Sequence, residues 1–214
     1  MDPYFDHRLD AWVLSRYADV SEALREPRLT PAAALSSAIA PPSDAAIHAD
    51  FRSQALRTLA ALPLQQWEEL AVQMLAPGGE IDLVAEYAQP WSQRIAGLAA
   101  GVPEARLERC AQLARDVFLS AGEPFDAQLQ RAAHTATAEL YSCLEPIPMQ
   151  MFVALSQSLP AFLGAARLAL LQHRDQLPYL DAPSMDELLR FAGPSRTLFR
   201  QAIGRCPLSW GFAV

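Results

Sequence analysis

Apolar residues recur at intervals of three and four along most of this chain, and proline or glycine closes nearly every such run. Strict alternation is clear once, in "AWVLSRY" (11–17), which predicts a short strand. The following "ADVSEALREP" predicts a short helix stopped by Pro27, and the prolines and small residues of 31–43 predict a loop. Helical spacing then takes over. The stretch 44–62 opens on a Ser/Asp cap signal and stops at Pro63, and "LQQWEELAVQML" ends at the glycines of "APGG". The stretch 80–101 carries Pro90, which predicts a break or kink. "PEARLERCAQLARDVFLSAG" opens with proline and closes with glycine, the asymmetry that helices favour. "FDAQLQRAAHTATAELYSCL", the apolar stretch 147–172 with Pro160, and "SMDELLRFAG" complete the helices, and the tail "RTLFRQAIGRCPLSWGFAV" reads as extended. There is no internal repeat and no low-complexity segment. The pattern predicts an all-α chain with minor β, organised as one domain over 1–214.

One helix carries charge where its pattern asks for none. A wheel at about 100° per residue over 44–62 places Ala55, Leu56, Leu59 and Leu62 on one face, with His48 and Arg52 in the same stripe. Asp50, Gln54 and Arg57 fall opposite. A guanidinium on a core-facing stripe calls for a compensating anion. That anion is an internal carboxylate or an anionic ligand gripped by His48 and Arg52 one turn apart; the remaining explanation is a helix end still reached by water. Near the end of the chain, Glu187 and Arg190 sit three apart, a spacing that most often makes a solvated surface bridge.

Composition narrows the function classes. Apolar residues make up 51% and charged residues 19%, a globular balance. The net charge of −7, with every basic side chain an arginine and no lysine, argues against nucleic acid, which needs a basic face. Arginine, alanine, leucine and proline in this abundance fit a GC-rich bacterial coding sequence. The acidic, polar start is no signal peptide, and no uninterrupted apolar run reaches the roughly 18 residues of a membrane span, so a cytoplasmic protein without membrane contact is expected. Cys110, Cys143 and Cys206 are odd in number and widely spaced, which fits neither a disulfide framework nor a metal site.

Taken in order, these stretches resemble the cytochrome P-450 family, the haem-thiolate monooxygenases, in its bacterial soluble branch. "AWVLSRYADVSEALREPRLT" is similar to the family's first strand and helix, and "HADFR" to its His-x-x-x-Arg helix. "IDLVAEYAQPWSQRIAGLAAGVPEARLERC" resembles its central helices and Gly-Val-Pro-Glu turn. "LLQHRDQL" resembles the end of its oxygen-side helix, and "ELLRFAGPSRTLFRQA" its Glu-x-x-Arg helix with the Arg-x-Ala beyond. The resemblance implies a reduced P-450-like fold, with His48, Arg52 and Arg200 in the positions that hold haem propionates. It also implies a partly buried, structural Glu187–Arg190 pair.

The departures bear on activity. The family's Phe-Gly-x-Gly signature and its ligand cysteine do not occur in these 214 residues, and Cys206 in "GRCPLSWG" is the remaining candidate for an axial ligand. Counted back from His173, the family's Ala-Gly-x-acid-Thr-Thr segment falls on "ALSQSLP". Leu155 replaces the glycine, Gln157 the acid, and Ser158 and Leu159 the two threonines. Leu155 would fill the oxygen groove, and Gln157 lacks the proton chemistry of a carboxylate. The expectation is therefore a non-catalytic P-450-like scaffold with no catalytic residue, no metal and no cofactor, serving as auxiliary partner of another enzyme. It would associate as a homodimer or with a partner protein, with residues 203–214, including Trp210 and Phe212, in the former haem-side cleft or against the partner; a small apolar ligand is a further expected occupant. The alternative is an oxidoreductase holding haem b through an unusual ligand or a completing subunit.

Overall fold

The computed structural model describes residues 2–31, 45–75, 80–123, 125–195 and 197–202, and these are mostly helical. The chain opens with a hairpin of β1 (Tyr4–Asp6) and β2 (Ala11–Val13), in antiparallel register with Phe5 opposite Trp12. The expected strand is thus shorter than its alternating pattern, and it pairs with residues whose pattern gave no signal. Helix α1 (Tyr17–Arg25) follows, then β3 (Leu29–Pro31) at the start of the stretch read as a loop. The tail returns as β4 (Arg200–Ala202), antiparallel to β3 with Leu29 opposite Ala202, so the extended reading of the tail holds for its described part.

The remaining helices are α2 (Ala45–Ala61), α3 (Leu64–Gln73), α4 (Gln89–Ala100), α5 (Glu104–Gly122), α6 (Ala127–Tyr141), α7 (Pro146–Val153), α8 (Leu159–Gln172) and α9 (Ala182–Ala192). Their starts are written in the sequence. Asp126 caps α6 by accepting from the amides of Gln128 and Leu129 at 2.8 and 3.0 Å, which satisfies donors that a helix start leaves free. Asp181 accepts from Ser184 N at 2.9 Å at the start of α9. Helix α4 ends at Gly101, whose φ of 70° is the left-handed conformation that glycine adopts without a Cβ clash.

Both internal prolines have the same structural answer. Leu83–Ala88 and Ala154–Ser158 are wide π-turns, and each ends two residues before a proline, Pro90 and Pro160. A proline in a helix orphans the carbonyl four residues back and crowds it with its ring. Widening the turn moves that carbonyl aside, as the bond from Gln89 N to Val84 O, five residues apart, illustrates. Pro90 therefore widens its helix and does not break it.

The core is built where α5 and α6 pack along one another and α7 crosses them. Leu107, Leu113, Val117, Leu140, Met149, Phe152 and Val153 are buried there, interleaved with Ala96, Ala111, Ala114 and Ala136. The alanines let helix backbones approach closely, and the large side chains fill what remains. The continuous run Pro146–Gln172, formed by α7, the π-turn and α8, is long and apolar enough to cross a membrane, against the expectation that no stretch would be. Gln150, Ser156, Gln157 and Ser158 interrupt its apolar residues without ending its helix, so the stretch read as 147–172 has no unbroken apolar run of about 18 yet makes one helical length. Its first half carries Met149, Phe152 and Val153 into the core, as the central helix of a bundle does.

Candidate functional site

The π-turn Ala154–Ser158 holds most of the altered oxygen-helix positions, and their side chains are used in packing. Leu155 is half-buried against the core cluster. The Gln157 amide nitrogen donates to the carbonyl of Ala111 on α5 at 3.4 Å and to Ser156 Oγ at 3.3 Å. Ser156 is fully buried, and its hydroxyl is 3.5 Å from the carbonyl of Val153. Gln157 therefore ties the wide turn to α5 with both donors of its amide committed. Ser158 and Leu159 are half-buried at the join with α8. An amide does not titrate near neutral pH, so Gln157 lacks the acid–base chemistry that a carboxylate would have at this position.

The cationic positions are elsewhere. His48 lies in α2, and its side chain is outside the described residues. Arg52 is exposed, which corrects the core-facing placement drawn from the wheel. Ala55, Leu59 and Leu62 are only half-buried and Leu56 is 55% exposed, so this stripe lies at the margin of the bundle, where water reaches the guanidinium. Arg200 opens β4, is exposed, and its Nη1 donates to the backbone carbonyl of Phe199 at 3.1 Å. Neither arginine forms an ion pair among the described residues. Cys206 lies outside the described residues, as does the expected packing of 203–214.

Glu187 and Arg190 do pair, through bonds of 2.6 and 2.5 Å from Arg190 Nε and Nη2 to the two carboxylate oxygens. The fork geometry holds the Glu187 carboxyl below its usual range and raises the Arg190 guanidinium. The expected shielding is absent: the side chains are 63% and 67% exposed. Among the described elements α9 packs chiefly on α8, and this face of α9 has nothing over it.

Two features escaped the sequence. The carbonyl of Ala111 as the partner of Gln157 has no residue signature, because backbone acceptors carry none. A groove flanked by Arg94 and Glu104 was foreshadowed only by two charges on either side of the "AAGVP" turn.

This chain is similar in fold to CalO2. The crystal structure of CalO2 superposes with a TM-score of 0.58 at 21% identity, covering 88% of this chain and 62% of that one. The chain thus spans less than two thirds of the length of CalO2. No family model and no curated protein matches the sequence. The likeness fixes the architecture, and the helical fold with minor β agrees with the reading of the sequence.

Proposed function

We propose that the protein is a cytochrome P-450-like scaffold that does not itself activate oxygen and works as the auxiliary partner of another protein in the cytoplasm. The observation that carries this reading is the π-turn at 154–158. Leu155 is committed to the core and the Gln157 amide to Ala111 and Ser156, where the resemblance asks for a bare groove and a proton-relaying acid. The order of the family-like stretches and the likeness in fold to CalO2 support the P-450-like frame. Exposed apolar side chains on α8 and α9, among them Leu168, Leu189 and Phe191, support a partner or a second copy as what the protein binds.

One observation favours a second reading. Arg52 and Arg200 keep exposed guanidiniums with no carboxylate partner among the described residues, and Glu187 is taken by Arg190. That fits an anionic ligand of the haem propionate kind, with His48 the third residue that would hold it and Cys206 the candidate axial ligand. Haem b, when bound, supplies redox and oxygen chemistry; these residues would bind and orient it.

Titration of the protein with haemin, followed by the spectrum under reducing carbon monoxide, separates the two readings. The scaffold reading expects no stoichiometric Soret band. One haem per chain with the thiolate-type shift under carbon monoxide, lost in Cys206→Ser, overturns it in favour of the enzyme. One haem per chain without that shift, weakened in Arg52→Ala and Arg200→Ala, establishes the second reading with another axial ligand.

A further inference from the structure

Away from the P-450-type positions, α3, α4 and the start of α5 line an open groove of about 350 Å³, with Leu98, Arg94 and Glu104 exposed along it. This lies within the roughly 300–1,000 Å³ span of small-molecule sites. Leu70 of α3 forms one wall, Leu98 of α4 another, and Val102 and Leu107 the turn into α5. Gly97 sets the floor: a Cβ there would come 2.8 Å from Leu107 Cδ1, so a larger residue at 97 would have to push that side chain aside where α4 and α5 meet. The turn is held by the bond from Val102 N to Gly97 O at 2.8 Å. The α3 wall is fixed to α4 and its π-turn by Trp91 Nε1 donating to the carbonyl of Trp67 at 3.4 Å and Tyr87 OH to that of Ala71 at 3.3 Å.

This apolar groove is bordered by one charge of each sign. Arg94 sits one turn before Leu98 on α4, and Glu104 one turn before Leu107 on α5. Neither has a hydrogen bond or ion pair among the described residues, so they flank the groove without neutralising each other. A carboxylate entering alone would meet Glu104, and an ammonium alone would meet Arg94. A ligand carrying both charges next to an apolar group answers all three surfaces at once. We propose that the groove binds a small zwitterion with an apolar substituent, an α-amino acid of the leucine type. Its carboxylate lies at Arg94, its ammonium at Glu104 and its side chain against Leu70, Leu98 and Leu107. The site shares no residue with the haem-type positions and stands whether or not the scaffold reading does.

Calorimetric titration of the full chain with leucine, N-acetylleucine and leucinamide tests this. The expected result is saturable binding of leucine, about tenfold or more tighter than either singly charged analogue. Arg94→Gln should abolish the disadvantage of leucinamide, and Glu104→Gln that of N-acetylleucine. Both residues are exposed, so the variants should keep the parent's circular dichroism and melting curve. No saturable binding of leucine at millimolar concentration overturns the proposal. So does binding no tighter than that of the analogues, or binding unchanged in both folded variants.

Discussion

Glu187 and Arg190 stand on one face of α9, three residues apart, with their forked hydrogen bonds open to water on every outer side. Solvent screens such a pair, and holding two long side chains together costs entropy, so its contribution to stability is small. Its sign against pH is nevertheless fixed. The Glu187 carboxyl is depressed by the Arg190 bond, so the folded state gains from the pair above the carboxyl's unfolded pKa. The gain is lost as pH falls through the lower, folded value. Glu187→Gln should therefore shift the urea midpoint slightly downward at neutral pH and not at all in acid below both values. A large shift at neutral pH that persists in acid would mean that the residue holds the fold by packing. A chemically similar pair, Arg16–Asp19, is built differently. Asp19 is buried, accepts from Arg16 Nε at 2.6 Å, and is likewise held below its usual range by that bond.

At the scale of elements, the helices from 45 to 192 lie within a few residues of where their periodicity put them, helped by starts at Asp126, Asp181 and several prolines and by stops such as Gly101 and Gly193. The short strands were less legible. Three residues give too little alternation to register, and β3 and β4 are defined by each other across most of the chain. The π-turns were legible only as "a proline in a helix", since sequence shows the obstacle and not the detour taken around it. The burial of Arg52 and of the Glu187–Arg190 pair was misjudged for one reason: a wheel shows which residues share a face, and not whether another element covers that face. The two halves of Pro146–Gln172 make the same point in numbers. Phe152 is fully buried in the α5–α6 core, whereas Leu168 is 57% exposed on α8. Phe152→Ala should cost about 3–5 kcal/mol in chemical denaturation, and Leu168→Ala under about 1. Similar costs at the two positions would place α8 in a packed interior.

For the whole molecule, α8 and α9 present Leu168, Leu171, Met185, Leu189 and Phe191 on the outside, and the link between them adds Leu177 and Tyr179 of the short 3₁₀ turn Arg174–Tyr179 and Leu180 just after it. Large apolar side chains exposed in this number on neighbouring helices are candidates for an interface. The proposed association should appear in sedimentation as a species heavier than one chain at micromolar concentration. The double variant Leu168→Glu, Phe191→Asp should shift it toward the monomer without lowering the melting temperature. A wild-type protein that sediments as a monomer at every concentration defeats self-association through this face. The π-turn at Ala154–Ser158 bears on the same question from inside. A continuous 27-residue helix is about 40 Å long, and in length alone it suits a bilayer. The wide turn changes the angular phase of the helix beyond it, since every residue added to a helix swings its successors by about 100°. The residues before the turn pack mainly on α4, α5 and α2, and those after it mainly on the π-turn Leu83–Ala88 and α9, with α4 touched by both halves. A stretch that hydropathy scores as one greasy rod is, in shape, a shaft with a joint in the middle, whose two ends meet largely different neighbours.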